Sequence, residues 1–119
     1  MLMNIISKEF HFSAAHVLMG LNDGHPCGRL HGHNYIVRVF LKGEPNKDGF
    51  VLDYNYLKPI KDWIDNTLDH QNLNDVFYSM QPSVELMSKS IFNKFKPDFP
   101  LLHAIEMSET PKTNCRYEG

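Results

Sequence analysis

The sequence predicts an α+β domain in which a four-stranded antiparallel sheet carries two helices on one face. Two segments with strand-like alternation of apolar and polar residues come first, and two more strand-like segments come last. Between them, apolar residues recur at helical spacing in two successive segments. The predicted order of elements is therefore ββααββ, with each pair of strands forming a hairpin.

The first two strands are predicted over residues 5–15 and from His33 to Leu41. In the earlier strand, alternating apolar residues define the side that faces a core: Phe10, Phe12 and Ala14. The later strand is rich in β-branched and aromatic residues, which favour strands. Turn-forming residues crowd positions 19–30, which predicts a long loop of a kind that is usually functional or disordered. Phe50 to Leu52 is predicted to extend the sheet briefly.

The first helix is predicted to end near Leu68, from the spacing of four apolar residues: Leu57, Ile60, Ile64 and Leu68. Its start has two interpretations. If Asn55 is the N-cap, Pro59 lies in the first turn, where its missing N–H breaks no intrahelical bond. If Asp53 is the N-cap, one such bond is lost. The sequence leaves both possibilities open.

The second helix is predicted to open at Ser83, with an apolar stripe formed by Val84, Met87, Ile91 and Phe95. Two prolines close it: Pro97 and Pro100. The third strand is predicted from Leu101 to Glu109 and the fourth from Asn114 to Glu118, with a turn around Pro111 between them.

Length and composition favour a single globular domain over residues 1–119. Apolar residues make up 42% and charged residues 22%, which are ordinary values for such a domain. A net charge of −2 gives no electrostatic basis for binding nucleic acid or an anionic membrane. We expect no membrane span and no secretion signal, since no long apolar run is present. With two cysteines and no such signal, a reduced, cytoplasmic location is expected.

Three of the seven histidines are candidate metal ligands: His16, His31 and His33. His31 and His33 are two residues apart, so on a strand they project from one face. His16 falls on the apolar face of the preceding strand, at its end. Three imidazoles would hold zinc and leave one coordination position open, as catalytic zinc sites do. Copper, nickel or iron fits the same ligand type, and the alternative is three separate polar residues near loop ends.

Cys27 lies in the glycine-rich loop between the first two strands, among polar neighbours that make burial difficult. Nearby cations such as Arg29 favour a thiolate. Two roles remain open for it, a fourth metal ligand that would close the site, or a base held just off the metal. Cys115, in an apparent strand, is expected to serve packing.

Two further candidates carry acid/base or binding chemistry. Asp69 precedes His70, and a carboxylate beside an imidazole can set its tautomer and basicity. Glu109, at the end of the third strand, can accept two parallel hydrogen bonds from an amino-pyrimidine edge, or serve as a surface charge. The remaining histidines are expected to be structural or exposed: His11, His25 and His103.

Taken in order, these residues resemble the 6-pyruvoyl-tetrahydropterin synthase family. The matching pieces run from about residue 10 to the C-terminus: Phe12 to His16, Cys27 to His33, Leu68 to Asn74, Pro82 to Glu85, Glu109 to Thr110 and Cys115 to Tyr117. The short interval between Cys27 and His31 is similar to the carboxy-forming, queuosine-pathway branch, because the pyruvoyl-forming enzymes carry a longer insertion there. Ser83 stands where the family often has threonine, which keeps the hydroxyl.

The resemblance implies a role for each candidate. His16, His31 and His33 would hold Zn²⁺, and Cys27 would be the proton-abstracting base. His70, oriented by Asp69, would be the second acid/base group. Substrate contacts would come from two residues: Glu109, as the pterin anchor, and Ser83. The implied reaction converts 7,8-dihydroneopterin triphosphate to 6-carboxy-5,6,7,8-tetrahydropterin, acetaldehyde and triphosphate.

The same resemblance implies the tunnelling fold, in which the sheets of neighbouring subunits join into barrels. Homohexamers built from two trimers, with active sites at subunit contacts, are then expected. Two alternatives to the lyase stay open at this stage. One is pyruvoyl-forming activity, and the other is a non-catalytic, zinc-dependent pterin-binding module. Basic residues are candidates for the triphosphate: Arg29, Lys112 and Arg116.

Overall fold

A computed structural model describes residues 3–119, which form one four-stranded antiparallel sheet in the order β1–β2–β3–β4. The strands are β1 (Asn4–His16), β2 (His31–Gly43), β3 (Leu102–Ser108) and β4 (Cys115–Tyr117). The three helices are α1 (Lys58–Trp63), α2 (Leu73–Val76) and α3 (Val84–Phe95). The predicted α+β class and the ββααββ order of the longer elements are confirmed, and α2 is an additional short helix.

The segment predicted as the first helix combines three kinds of turn. A 3₁₀ turn covers Tyr54–Leu57, α1 follows it, and a π-helical turn covers Ile64–Leu68, where the predicted end is confirmed. Asp53 caps the 3₁₀ turn by accepting a hydrogen bond from the N–H of Asn55 at 2.9 Å. Pro59 is the second residue of α1, a position whose N–H has no intrahelical partner. Asp53 therefore caps the segment, and Pro59 lies at the start of its α-helical part.

One expectation about local structure was wrong, and one short element had no sequence signal. Phe50 to Leu52 is not a strand, because Asn46 folds this segment into a closed turn. The N–H of Asn46 donates to the carbonyl of Phe50 at 2.7 Å, and the Asn46 side chain accepts from the N–H of Phe50 at 3.1 Å. The polar segment after Leu68 contains α2, capped by the side chain of Asn72. Four residues are too few to show a periodic pattern in the sequence.

The helices cover one face of the sheet and bury a common apolar core with it. Its fully buried members include Val37, Val39 and Leu41 from β2, Ile60 from α1, Ile91 from α3 and Ile105 from β3. The opposite face carries cross-strand ion pairs, with Arg38 2.7 Å from Glu9 and Arg116 2.8 Å from Glu106. None of the helices within residues 3–119 combines the length and the apolar character that crossing a bilayer requires.

The β1–β2 hairpin places the candidate ligands. Both strands have 13 residues, and β2 begins two residues earlier than predicted. Their antiparallel register sets His16 opposite His31 and Ala14 opposite His33. Because side chains alternate along a strand, all three histidines project from the core-facing side at one end of the sheet. The expected common face of His31 and His33, shared with His16, is confirmed.

Candidate active site

The histidine cluster, formed by His16, His31 and His33, is the group of residues that could hold a metal ion in the described part of the chain. Each residue offers one ring nitrogen, and these nitrogens lie within 4.8 Å of one another. His16 is completely buried, whereas His31 and His33 are half-buried. The cluster therefore combines a fixed inner ligand with two ligands nearer the surface.

Backbone carbonyls fix the orientation of two of these rings. The Nδ1 atom of His16 lies 2.7 Å from the carbonyl oxygen of Pro82, and the Nδ1 atom of His31 lies 2.6 Å from that of Arg29. A carbonyl only accepts hydrogen bonds, so each Nδ1 carries the proton and each Nε2 presents a lone pair in the neutral ring. Hydrogen bonding of the distal ring nitrogen is the usual support for a metal-binding histidine.

The two Nε2 atoms of His16 and His31 are 2.9 Å apart, so their lone pairs face each other unless a proton or a cation lies between them. Zinc–nitrogen bonds of about 2.0–2.1 Å at tetrahedral angles set ligand nitrogens roughly 3.3 Å apart. The observed separation needs only a small adjustment to reach that value. The donor set, three imidazoles without a carboxylate, fits zinc and leaves a fourth position for another ligand.

His33, the third member of the cluster, has a ring nitrogen without a hydrogen-bond partner. Its Nε2 is buried and has no hydrogen-bond partner, and Glu109 Oε2 lies 3.3 Å away without hydrogen-bond geometry. Burial lowers the pKa of His33, although the charge of Glu109 acts in the opposite direction. A lowered pKa favours the neutral imidazole, which is the form that binds metals.

Tyr35 is a core residue that contacts the histidine cluster. Its side chain is completely buried, and its hydroxyl has no hydrogen-bond partner. The ring stacks on Phe12 with centroids 4.8 Å apart and meets His33 edge-on at 5.4 Å. Burial raises the pKa of the Tyr35 phenol, and the charge of Glu109 raises it further, so the hydroxyl is a hydrogen-bond donor at neutral pH.

Asp69 and His70 form a pair at the outer edge of β1. Asp69 Oδ2 lies 2.8 Å from His70 Nδ1, as the resemblance implies. The N–H of Ser13 donates to Asp69 Oδ1 at 2.9 Å, and the N–H of His70 donates back to the carbonyl of Ser13. The Ser13 N–H, followed by the His70 side chain, holds the pKa of Asp69 below its usual range. The carboxylate therefore stays ionised and orients the imidazole.

His70 adopts a left-handed backbone conformation with φ of 59°, which is uncommon for a residue other than glycine. Its side chain is 82% exposed. An open cleft of about 560 Å³ includes both His33 and His70 in its lining. Within residues 3–119, no hydrogen bond or ion pair joins His70 directly to the histidine cluster.

Cys27 lies in a 3₁₀ turn, Pro26–Gly28, between β1 and β2. Its N–H donates to His25 Nδ1 at 3.1 Å, and its carbonyl accepts from the N–H of Leu18 at 2.9 Å. The thiol is free and half-buried. It is not a member of the ion-binding group found among the described residues.

Comparison with known proteins identifies the family. A profile described as 6-pyruvoyl tetrahydropterin synthase matches residues 5–119. The chain belongs to this family. A relative from Synechocystis sp., 39% identical over 95% of this chain and 92% of its own length, is named 6-carboxy-5,6,7,8-tetrahydropterin synthase. A Haemophilus influenzae protein of the same name is 34% identical, over 95% of this chain and 97% of its own length.

The structural comparison gives the same family. The 6-pyruvoyl tetrahydropterin synthase of Caenorhabditis elegans superposes with a TM-score of 0.89 at 30% identity, covering 100% of this chain and 97% of that one. The tunnelling fold expected from the sequence is thereby confirmed. The relatives support an enzyme that acts on pterins, as members of the 6-pyruvoyl tetrahydropterin synthase family do.

The sequence did not reveal the amide side chains that bind the backbone next to His16. Asn74 exchanges two hydrogen bonds with the backbone of Val17, each 2.8 Å long. Gln81 does the same for Met19, at 2.8 and 2.7 Å. The polar residues after the first helix therefore clamp the end of β1 and, with it, His16. Amide side chains in polar segments carry no spacing signal that would have revealed this.

Ser83 caps α3, because its Oγ accepts a hydrogen bond from the N–H of Leu86 at 3.3 Å. We expect Ser83→Ala to lower the free energy of unfolding by about 1 kcal/mol, the usual cost of losing such a cap. Urea titration measures this change. Ser83→Thr keeps the hydroxyl and is the matched control. Equal stability of the alanine variant would contradict the capping role.

Proposed function

We propose that the protein is a zinc-dependent lyase that converts 7,8-dihydroneopterin triphosphate to 6-carboxy-5,6,7,8-tetrahydropterin, acetaldehyde and triphosphate, a step toward queuosine and related 7-deazapurines. The observation that carries the proposal is the convergence of three imidazoles that leaves one coordination position for a ligand. The names of the relatives that are 34% and 39% identical support the carboxy-forming reaction.

Zinc held by His16, His31 and His33 supplies a Lewis acid that stabilises negative charge developing on a substrate oxygen. In this proposal, Cys27 removes a proton from the adjacent carbon of the substrate side chain. Its backbone is held on both sides by hydrogen bonds to His25 and Leu18, which keeps the turn in place. A positioned base of this kind contributes roughly 10²–10⁴-fold to the rate.

His70 is the second acid/base group in the proposal. Asp69 fixes the proton on Nδ1, so Nε2 is free to exchange a proton with the substrate. Ser13 holds Asp69 and the backbone of His70 at the same time. This arrangement explains how a left-handed residue with an exposed side chain keeps a defined orientation.

Glu109 is proposed to bind the pterin ring by accepting hydrogen bonds from the 2-amino group and the adjacent ring N–H. A carboxylate accepts two such bonds side by side, which gives a planar and specific contact. Ser83 is proposed as a second substrate contact in addition to its capping role. Exposed basic residues are candidates for the triphosphate: Arg29, Lys112 and Arg116.

We also propose a homohexamer of two trimers in which subunits complete each other's sites. The outer strands of the sheet, β1 and β4, have edges that can pair with another copy. His70 lies beside one of these edges with its side chain 82% exposed, which suits a role in a neighbouring subunit's site. Light scattering coupled to gel filtration measures the mass, and a monomer at working concentration would contradict the assembly.

Product analysis tests the proposed reaction. We expect the zinc-loaded protein to release acetaldehyde and form 6-carboxy-5,6,7,8-tetrahydropterin from 7,8-dihydroneopterin triphosphate, as measured by mass spectrometry. Retention of the three-carbon side chain on the pterin would instead establish 6-pyruvoyl tetrahydropterin synthase activity, which is the activity that the C. elegans relative is named for. Zinc and pterin binding without turnover under any condition would establish a non-catalytic module.

A further inference from the structure

The buried hydroxyl of Tyr35 is an unused hydrogen-bond donor beside the proposed pterin anchor. The last pairs of the β2–β3 ladder are Val37 with Met107 and Ile36 with Ser108. Glu109 is the first residue after β3, so continuing the same register by one step would set it opposite Tyr35. Directly opposed residues of antiparallel strands have Cβ atoms about 4.5–5.5 Å apart and project to the same face. The phenol and the carboxylate would then be cross-strand neighbours, which agrees with the effect of the Glu109 charge on the Tyr35 phenol.

Glu109 in this structure leans diagonally toward His33, with Oε2 3.3 Å from Nε2 but without hydrogen-bond geometry. A histidine that uses this nitrogen to bind a metal has no proton there to share with a carboxylate. The contact would then set two lone pairs against each other. An alternative donor for Glu109 is the buried O–H of Tyr35, which has no hydrogen-bond partner in this structure.

We propose that Tyr35 is a positioning residue whose hydroxyl donates a hydrogen bond to the Glu109 carboxylate and thereby sets its orientation toward the 2-amino-4-oxo edge of the pterin. The proposal rests on the proposed role of Glu109 as the pterin anchor. Packing suits the phenol to this role, because its ring stacks on Phe12 and contacts His33 edge-on, which fixes the position of the ring. A completely buried side chain of this kind holds its hydroxyl in one place.

Tyr35→Phe removes the oxygen alone and tests the proposal by binding. With 7,8-dihydroneopterin as the probe and the full-length, zinc-loaded protein, we expect the dissociation constant to rise roughly 10- to 100-fold, the value of one hydrogen bond to a charged group. Zinc content should not change. In the metal-free protein the melting temperature should stay equal or rise, because there the variant removes a buried hydroxyl that has no partner.

Selectivity separates positioning from a general structural effect. Lumazine carries oxygen in place of the 2-amino group and so lacks one of the two donors that Glu109 is proposed to recognise. We expect the wild-type protein to prefer 7,8-dihydroneopterin over the matching lumazine, and Tyr35→Phe to lose most of that preference. Tyr117→Phe makes the same chemical change on β4, where the ring packs on Phe92, and should leave the preference intact.

A double-mutant comparison with Glu109→Gln decides between the possible failures. If Tyr35 acts through Glu109, Tyr35→Phe should have little further effect once Glu109 is changed. Unchanged affinity and selectivity in Tyr35→Phe, alongside a loss in Glu109→Gln, would overturn the proposal for Tyr35 and leave the anchor standing. Unchanged affinity in Glu109→Gln would overturn the anchor and the positioning role together.

Discussion

Replacing Cys27 with alanine is expected to lower kcat by roughly 10²- to 10⁴-fold while the protein keeps its full complement of zinc. The reason is that the thiol lies outside the histidine cluster that could hold an ion, so its removal takes away the proposed base and none of the proposed metal ligands. Acetaldehyde release measures kcat, and elemental analysis of the purified protein measures zinc per chain.

The other free cysteine provides the control for this experiment. Cys115 is half-buried on β4 and is paired in register with Met107, so Cys115→Ala tests the removal of a thiol from the same fold. We expect it to retain zinc and turnover. Loss of zinc together with activity in Cys27→Ala would make the thiol a fourth ligand, which would contradict its role as the base.

The strands and long helices could be predicted from the sequence because their signals are local. Alternation over residues 5–15 and the apolar spacing from Leu57 to Leu68 each arise within one element. The turn at Asn46 and the π-helical end of the first helix depend on individual backbone hydrogen bonds, which periodicity does not encode. The short helix α2 could not be predicted either, because it consists of only four residues and one capping residue.

The histidine cluster could be predicted in part for the same reason. Strand alternation alone places His31 and His33 on one face, and the hairpin adds His16. The support of the rings comes from the carbonyls of Arg29 and Pro82, and any residue supplies a carbonyl, so the sequence holds no sign of these contacts. Sequence spacing therefore identifies candidate metal ligands more readily than the groups that orient them.

The contact between Asp69 and His70, the proposed acid/base pair, could not be predicted from sequence spacing. Asp69 and His70 are adjacent in sequence. Neighbouring side chains often point apart, so adjacency alone does not predict a contact between them. It forms because the left-handed backbone at His70 turns the imidazole back toward the preceding carboxylate, with Ser13 bonded to both residues. The position of the pair at the outer edge of β1 depends on tertiary structure and has no sequence signal.

Replacing His31 with alanine is expected to weaken zinc binding by more than about 100-fold and to abolish turnover. Changing a residue that only supports a ligand already costs about 10- to 100-fold in affinity, and His31 is itself proposed as a ligand. Competition with a chromophoric zinc chelator measures the affinity. His103→Ala is the control, because His103 lies on β3 beside Glu118 and outside the cluster, and we expect it to bind zinc normally.

Thermal unfolding with and without EDTA distinguishes loss of a ligand from general damage to the fold. Chelation should lower the melting temperature of the wild-type protein for two reasons. It removes the stabilisation of the folded state by bound metal, and it leaves the Nε2 lone pairs of His16 and His31 facing each other at 2.9 Å. His31→Ala lacks both contributions, so its melting temperature should not respond to EDTA. A wild-type protein that is equally insensitive to EDTA would mean that a proton, and not a metal ion, joins the two rings.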